Sequence, residues 1–290
     1  MRGTMTKLKI GFLHPGEMGI SLAASAQNSG HTASWASIGR SAQTQERAEK
    51  HNLVEVRSLN ELCETCSVIV CVCPPHAAEE VARQTLETSF EGLYLDANAI
   101  APQRAKHIGQ LMDEAGVRFV DGGIIGGPAW EPGGTWLYLS GEHAERVVDC
   151  FSEGPLETCI IGEEIGKASA LKMCYAAYTK GTTALLCAIL AAAEELGVRK
   201  DLERQWSRNG SDFADQTAAR VKRATIKAWR FAGEMDEIAA TFAGAGVPAG
   251  FHEAAGEIFR RLAHFKGEPE RPSLTEVLEA LICAGESGVG

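Results

Sequence analysis

The segment from Lys7 to Gly19 limits the fold most, because an apolar run there leads into a glycine-containing turn. It reads KLKIGFLHPGEMG, and the amphipathic stretch SLAASAQNSG follows after Ile20. A strand, a turn and a helix in this order present free backbone N–H groups and a positive helix end to a phosphate. The usual fingerprint is G-x-G-x-x-G, but His14 stands at its first position and only Gly16 and Gly19 remain. The segment alone therefore predicts a phosphate-binding turn only weakly.

Short β-rich segments alternate with helical patterns from Lys7 to about Ile161. We predict further strands at Thr32–Ser37, Val54–Val56, Ser67–Cys73, Gly92–Asp96, Val117–Asp121, Thr135–Leu139 and Cys159–Ile161. We predict helices at Gln43–Asn52, Leu59–Cys63, His76–Thr85, Pro102–Ala115 and Glu142–Phe151. Such alternation is typical of a mostly parallel sheet with right-handed crossovers. Residues 1–162 are therefore predicted to form a doubly wound α/β domain of the Rossmann type.

The strand signal stops after Gly162, and only helical patterns follow. We predict helices at Lys167–Leu196, Asp201–Asn209, Ala214–Phe231, Met235–Gly244, Phe251–Phe265 and Thr275–Cys283, with a frayed tail at Gly285–Gly290. The first helix is apolar on more than one face, so other helices or a partner subunit must cover it. Residues 163–290 are therefore predicted to form an all-α domain that binds substrate and forms a homodimer.

The composition excludes several classes of partner. A net charge of −10 argues against nucleic acid, which needs a basic face. The longest uncharged apolar run, Ala184–Ala193, is about half of the roughly 20 residues that a membrane helix needs. No signal peptide is visible, and an odd number of cysteines, nine, suits a reducing compartment. We expect a cytoplasmic protein with free thiols and no metal site, in which Cys71 and Cys73 pack in a strand.

Four loops at the carboxyl ends of the predicted strands are expected to meet in one ligand site. The first is the turn with His14, Pro15, Gly16, Glu17 and Met18. The third is Cys73-Pro74-Pro75, a rigid loop suited to packing along the ribose and nicotinamide of a dinucleotide. The fourth contains Asn98, whose amide can both donate and accept near the reacting centre. Together these loops predict a dinucleotide cofactor.

The second loop, which contains Ser37, Arg40 and Ser41, bears on which dinucleotide binds. An NAD site usually places Asp or Glu there to accept from the ribose 2′-hydroxyl, and the loop has neither. Arg40, flanked by two serines, instead offers a planar cation and hydroxyls to a 2′-phosphate. The loop therefore favours NADP over NAD.

These motifs, in this order, resemble those of the β-hydroxyacid dehydrogenase superfamily, which includes phosphogluconate and 3-hydroxyisobutyrate dehydrogenases. The turn is similar to the family's G-x-G-x-M-G, Asp121–Gly127 is similar to D-x-P-V-S-G-G, and Gly134–Leu137 corresponds to its later strand. Lys172 begins a segment similar to the family's K-x-x-N. Ile125 and Tyr175 stand where the family has serine and asparagine, and the closest likeness is to a branch whose C-terminal domain has no assigned function. The resemblance implies NADP-linked hydride transfer.

Hydride transfer to a carbonyl requires a proton donor within hydrogen-bond reach. Lys172 lies among apolar residues at the start of a helix, where burial lowers the pKa of a lysine toward neutrality. We predict Lys172 as general acid/base, with Tyr175 on the same polar stripe and Asn98 orienting the substrate or the nicotinamide. Helical spacing adds Thr179 and Thr183 to that stripe.

The substrate is expected to meet the glycines that follow the strand ending at Asp121. Exposed N–H groups of Gly122, Gly123 and Gly126 are predicted to hold its carboxylate or oxyanion, and Thr179 is predicted to contact it. The predicted function is an NADP(H)-dependent oxidoreductase acting on a small hydroxy acid or alcohol, or on its carbonyl counterpart. One alternative is an imine reductase, against which Lys172 weighs. The other is a non-catalytic NADP-binding sensor or scaffold, which would not need a proton donor.

Overall fold

A computed structural model describes residues 7–283, so the predicted tail at Gly285–Gly290 lies outside the described residues. The chain divides into two compact units, one up to Met173 and one from Cys174. The boundary was expected after residue 162, where the last strand, Leu156–Gly162, ends, whereas the two units divide within the helix that follows.

The first unit contains an eight-stranded sheet. Its strands are β1 (Lys9–Phe12), β2 (Thr32–Ala36), β3 (Val54–Val56), β4 (Val68–Cys71), β5 (Leu93–Asp96), β6 (Arg118–Gly126), β7 (Thr135–Ser140) and β8 (Leu156–Gly162). They lie in the order β3-β2-β1-β4-β5-β6-β7-β8, and only the β6–β7 pair is antiparallel. The predicted doubly wound, mostly parallel fold is confirmed.

Helices cover both faces of this sheet. They are α1 (Glu17–Asn28), α2 (Ala42–Lys50), α3 (Leu59–Thr65), α4 (Ala78–Leu86), α5 (Pro102–Glu114) and α6 (Ala144–Cys150). Successive residues of β4 enter opposite apolar clusters, with Val70 packing on the α1 side and Ile69 on the side of α3 to α5. Because a strand alternates its side chains, a strand covered on both faces reads as a continuous apolar run. This explains why the sequence identified β4.

Strand β6 extends through most of the segment that was predicted to be a substrate-binding loop. The sequence predicted its end at Asp121, but the strand runs to Gly126 and pairs with β7 from Asp121↔Ser140 to Gly126↔Thr135. Gly122 and Gly123 therefore lie inside the sheet, and the predicted anion nest past a strand end is wrong for both. Glycines make a strand difficult to predict from sequence, because they contribute no side chain to the alternating apolar pattern by which a strand is recognised.

The second unit consists of helices in its described part, as predicted. A helix that starts in the first unit, α7 (Lys167–Ala176), leads into it. The further helices are α8 (Thr182–Glu195), α9 (Arg199–Trp206), α10 (Phe213–Ala224), α11 (Ala228–Gly244), α12 (Gly250–Arg261) and α13 (Leu274–Cys283). Helices α10 and α11 are separated by a 3₁₀ turn, Thr225–Lys227. The sequence instead predicted the break between these two helices between Phe231 and Met235.

The segment Lys167–Glu195 is long and apolar enough to cross a membrane by length and composition alone. Half of its most apolar part is buried, and α8 packs against α10, α12 and α13. A helix covered by neighbours in this way is the core helix of a helical unit. This agrees with the predicted core position of Ala184–Ala193.

A π-helical turn, Ala177–Gly181, interrupts this segment and alters the predicted polar stripe. A π turn adds about one residue, or about 100° of rotation, to the helix. Arg220 binds the widened turn, donating from Nη2 to the Thr179 carbonyl at 2.7 Å and from Nε to the Thr183 hydroxyl at 2.8 Å. The prediction of one continuous stripe from Lys172 to Thr183 is therefore wrong.

Candidate functional site

The turn after β1 has the local geometry of a phosphate-binding turn. A Cβ on Gly19 would lie 2.3 Å from the His14 carbonyl oxygen, so only glycine permits this approach of helix and turn. A Cβ on Gly16 would meet no atom within 4 Å, which leaves open space beside the first residue before α1. Gly16 is the N-cap of α1 and has no side-chain cap. This open, uncapped helix start can receive an anion.

The loop after β2 places a cation at the same end of the sheet. Arg40 is half-buried, and its Nε atom is buried without a hydrogen-bond partner. Burial lowers the pKa of the Arg40 guanidinium from its ordinary value. A cavity of about 210 Å³, whose walls include His14, Ile38, Arg40 and Ser58, joins this loop to the β1 turn. An unpartnered guanidinium N–H in such a cavity fits an anionic group of a ligand.

The two serines of that loop are already engaged. The Ser41 hydroxyl accepts from the Thr44 backbone N–H at 3.3 Å and caps α2. The Ser37 hydroxyl donates to the Val56 carbonyl at 3.4 Å. Both serine hydroxyls therefore have hydrogen-bond partners within the protein and shape the loop. The Nε–H donor of Arg40, by contrast, has no partner.

Asn98 ties together the loops after β4 and β5. Its side-chain oxygen accepts from the Cys73 backbone N–H at 2.5 Å, and its amide nitrogen donates to the Cys71 sulfur at 3.3 Å. Its own backbone N–H donates to the Asp96 carboxylate at 2.9 Å. The structure thus assigns Asn98 a positioning role for the Cys73-Pro74-Pro75 loop. Pro74 is exposed, and Pro75 begins a 3₁₀ turn.

The end of β4 also brings together a group that the sequence analysis missed. The Cys71 and Cys73 sulfurs lie 3.7 Å apart, and ring nitrogen and sulfur atoms of His14 and both cysteines lie within 4.8 Å of one another. The hydrogen bond from the Cys73 thiol lowers the pKa of Cys71 well below its usual range, although burial acts in the opposite direction. The same hydrogen bond raises the pKa of Cys73. The available signal in the sequence was Cys-x-Cys at the end of a predicted strand.

A buried carboxylate fixes the start of α7. One oxygen of Asp121 accepts from the backbone N–H groups of Gly166 at 3.0 Å and Ser169 at 3.1 Å, and from the Ser140 hydroxyl at 2.9 Å. Its other oxygen accepts from the Ser169 hydroxyl at 2.6 Å. Burial raises the pKa of Asp121, and the hydrogen bonds from Ser169 oppose that rise. A carboxylate at a helix start satisfies free N–H groups and the helix dipole, so Asp121 sets the position of α7 on β6.

Close packing of α7 on β6 places Lys172 beside Gly123. A Cβ on Gly123 would lie 2.5 Å from the Ala168 carbonyl oxygen and 3.0 Å from Lys172 Cβ. A Cβ on Gly122 would lie 3.0 Å from the Asp96 carbonyl oxygen of β5. Lys172 is half-buried. Gly123 therefore allows the close approach of α7, which carries Lys172, and Gly122 allows the close approach of the β5 backbone at Asp96.

The remaining predicted residues lie elsewhere or have other partners. Gly126 has a positive φ of 125° and is exposed, so it alone of the three glycines has the backbone of a turn. Tyr175 and Thr179 belong to the second unit: Tyr175 is exposed, and the Thr179 hydroxyl donates to the Tyr175 carbonyl at 3.2 Å. A larger cavity of about 520 Å³, beside Lys106 and Arg118, contains none of the predicted site residues.

Two segments of the chain match known domain families. Residues 9–152 match the NAD binding domain of 6-phosphogluconate dehydrogenase. Residues 193–262 match a domain of unknown function, DUF1932. An uncharacterized 28.5 kDa protein from Methanothermus fervidus is 29% identical over 202 residues, which cover 69% of this chain and 77% of that protein.

Solved structures share the fold. The conserved protein MTH1747, of unknown function and described as structurally similar to 3-hydroxyacid dehydrogenases, is 30% identical with a TM-score of 0.66 over 89% of this chain and 98% of its own. A 3-hydroxyisobutyrate dehydrogenase from Mycobacterium tuberculosis, solved with L-serine, has a TM-score of 0.69 at 18% identity and covers 95% and 99% of the two chains. An imine reductase from Myxococcus stipitatus in complex with NADP⁺ has a TM-score of 0.56 at 16% identity, covering 93% and 99%.

Proposed function

Because the chain belongs to the β-hydroxyacid dehydrogenase superfamily, we propose that it is an NADP(H)-dependent dehydrogenase or reductase with Lys172 as general acid/base. Its substrate is a small hydroxy acid or alcohol, or the carbonyl counterpart. The coarser activity, that of an NAD(P)-dependent oxidoreductase, is supported by its fold relatives. The observation that carries the proposal is the packing of Lys172 on Gly123, on a helix whose start is bound by the Asp121 carboxylate.

The residues of the β1 turn and the β2 loop fit a dinucleotide phosphate. The uncapped start of α1 at Gly16 would hold the pyrophosphate, and the guanidinium of Arg40, which lines the adjoining cavity, would bind the 2′-phosphate. When bound, NADP supplies or accepts the hydride. His14 and the Cys73-Pro74-Pro75 loop would line the same end of the sheet.

In this proposal the chain itself handles the proton. Reduction of a carbonyl makes its oxygen negative, so a lysine ammonium near that oxygen donates a proton, and in the reverse direction the neutral amine accepts one. Lys172 is half-buried, as a proton-exchanging lysine must be if solvent is to be limited around it. Tyr175 and Thr179 remain proposed substrate contacts.

The cofactor part is tested by titrating the protein with NADPH and NADH by calorimetry. We expect tighter binding of NADPH, and Arg40→Ala should weaken it by about 10- to 100-fold, as loss of a charge-assisted hydrogen bond costs about 1.5–3 kcal/mol. NADH affinity should be unchanged. Arg83→Ala is the matched control, because Arg83 pairs with Glu79 on the exposed surface of α4. Equal affinity for the two nucleotides in the wild type would refute the role of Arg40, and absence of binding would refute the whole proposal.

The catalytic part is tested with a panel of small hydroxy acids, alcohols, carbonyls and cyclic imines. Lys172→Met should lose at least about 100-fold in kcat/KM while keeping NADPH affinity. Lys167→Met, at an exposed position at the start of the same helix, is the control. Full activity in Lys172→Met would show that another group moves the proton. Turnover of imines alone would identify the imine reductase alternative, and binding without any turnover would favour the sensor.

The proposed assembly is a homodimer formed through the helical unit. Large apolar side chains of this unit are exposed, among them Leu185, Phe213 and Phe251. Exposed apolar side chains of this kind mark interaction surfaces when they are contiguous. Light scattering coupled to gel filtration measures the mass directly, and a monomer would refute this part. The cytoplasmic location stays a prediction.

A further inference from the structure

We propose that His14, Cys71 and Cys73 form a binding site for a thiophilic divalent cation, with Zn²⁺ as the fitting ion. The proposal does not depend on the proposed function, because metal binding is measured without nucleotide or substrate. It assigns a ligand to the only cluster of three histidine, cysteine or carboxylate groups that the structure shows within residues 7–283.

The topology of the sheet brings these residues together. β1 and β4 are parallel neighbours with Phe12 opposite Val70, so the residues that follow each strand meet at one edge. The Leu13 backbone N–H donates to the Val70 carbonyl at 3.1 Å and extends this pairing to the residue before His14. Cys71 and Cys73 are two residues apart, the period at which extended backbone returns side chains to the same side.

The spacing of the sulfurs fits tetrahedral coordination. Two thiolates at about 2.3 Å from a zinc ion, separated by about the tetrahedral angle, place their sulfurs about 3.8 Å apart. The Cys71 and Cys73 sulfurs lie 3.7 Å apart, and the His14 nitrogen completes a triangle whose edges do not exceed 4.8 Å. Two sulfurs and one imidazole nitrogen form a ligand set that Zn²⁺ prefers and that Mg²⁺ and Ca²⁺ do not.

The surroundings also suit a cation. The Nδ1 atom of His14 and one carboxylate oxygen of Asp96 are buried without a hydrogen-bond partner. A buried polar atom without a partner is costly, and a bound ion with its water would supply one. The Asn98 amide donates to the Cys71 sulfur at 3.3 Å and fixes the Cys73 backbone N–H at 2.5 Å. Hydrogen bonds from such outer residues orient metal ligands and stabilise thiolates.

The other close pair of cysteines provides an internal comparison. Cys63 and Cys66 are both buried near the end of α3, with Cys66 as the C-cap, and no third ligand of the described chain joins them in a cluster. Two ligands bind zinc far less tightly than three. This pair should therefore not bind the ion at the affinity expected of the His14 cluster.

The test uses the full chain, reduced, freed of metal by a chelator and without nucleotide. Zn²⁺ is titrated in competition with a chromophoric chelator, and Co²⁺ is titrated to record its visible ligand-field bands and its sulfur-to-metal charge transfer. We expect one ion per chain and a cobalt spectrum typical of tetrahedral coordination with thiolate ligands. Absence of binding tighter than about micromolar, or an octahedral cobalt spectrum without charge transfer, would overturn the proposal.

Three variants locate the site. Cys71→Ser/Cys73→Ser should weaken Zn²⁺ binding by at least about 100-fold, whereas Cys63→Ser/Cys66→Ser, which retains the same number of thiols, should bind as the wild type does. His14→Gln keeps every cysteine and should weaken binding by about 10-fold or more, so the proposal stays testable if the double serine variant does not fold. Wild-type binding in both the Cys71/Cys73 and His14 variants, or loss of binding in the Cys63/Cys66 variant instead, would overturn it.

Discussion

Gly123→Ala tests whether close packing of α7 on β6 sets the position of Lys172. The added Cβ would lie 2.5 Å from the Ala168 carbonyl oxygen, and ordinary contact begins near 3.4 Å. Helix α7 must therefore retreat by about 0.9 Å, since both neighbouring contacts are to atoms of the helix itself. Gly127→Ala is the matched control, because a Cβ there would meet no atom within 4 Å.

Overpacking of this kind costs about 1–3 kcal/mol. For a unit of this size, each kcal/mol lowers Tm by about 2–4 °C, so the transition of the first unit should fall by about 2–12 °C. Differential scanning calorimetry measures this fall without any substrate. A catalytic group displaced by about 1 Å also loses about 100-fold in rate, so kcat/KM should fall while NADPH affinity does not.

Two results would refute this reasoning. If Gly123→Ala matched Gly127→Ala in Tm, the approach of α7 to β6 would not be as close as the structure has it. If Tm fell but kcat/KM did not, the position of Lys172 would not limit the reaction, and the general acid would have to lie elsewhere.

Two further predictions concern buried titratable groups. Asp121→Asn replaces one acceptor oxygen of the α7 cap by a donor nitrogen, so urea denaturation should show the first unit destabilised by about 2–4 kcal/mol. The control Asp113→Asn, on the exposed surface of α5, should leave the free energy of unfolding unchanged. If Asp121→Asn were as stable as the wild type, the cap would not be needed for stability. Burial lowers the pKa of His252, so below about pH 6.5 the unfolded chain binds more protons than the folded one, and stability falls as the pH falls. His252→Gln should reduce this loss of Tm between about pH 7.5 and about pH 5, whereas the exposed His264→Gln should not; parallel curves for His252→Gln and wild type would contradict it.

Much of the fold could be predicted because local patterns were consistent with it. The continuous apolar run of β4 indicated a strand covered on both faces, and the switch to helical periodicity after Gly162 indicated the helical unit. The sequence predicted too early an end for strand β6, because its three glycines carry no hydrophobic pattern. The last residues of the strand are held by pairing with β7. The π turn at Ala177–Gly181 was missed because no local sequence pattern marks it, and Arg220, which donates to the Thr179 carbonyl there, lies far away in the sequence.

The candidate site shows the same division. Arg40 could be proposed from sequence, since the residue after the second strand of such a unit contacts the ribose 2′ group of the bound dinucleotide. The role of Gly123 as a small residue beneath α7, and that of Asp121 as the cap of α7, could not, because both depend on atoms brought together by the pairing of β5, β6 and β7.

The sequence by itself determined the order of strands and helices, the strand–turn–helix at its start and the presence of a cation after β2. These follow from periodicity and spacing, which act over a few residues. Only the tertiary structure decided that Lys172 packs on Gly123 and that His14 meets Cys71 and Cys73. Such contacts join residues far apart in the chain, and they form only when strands pair and helices cover the sheet, because the burial of apolar surface that drives this packing is a property of the whole unit.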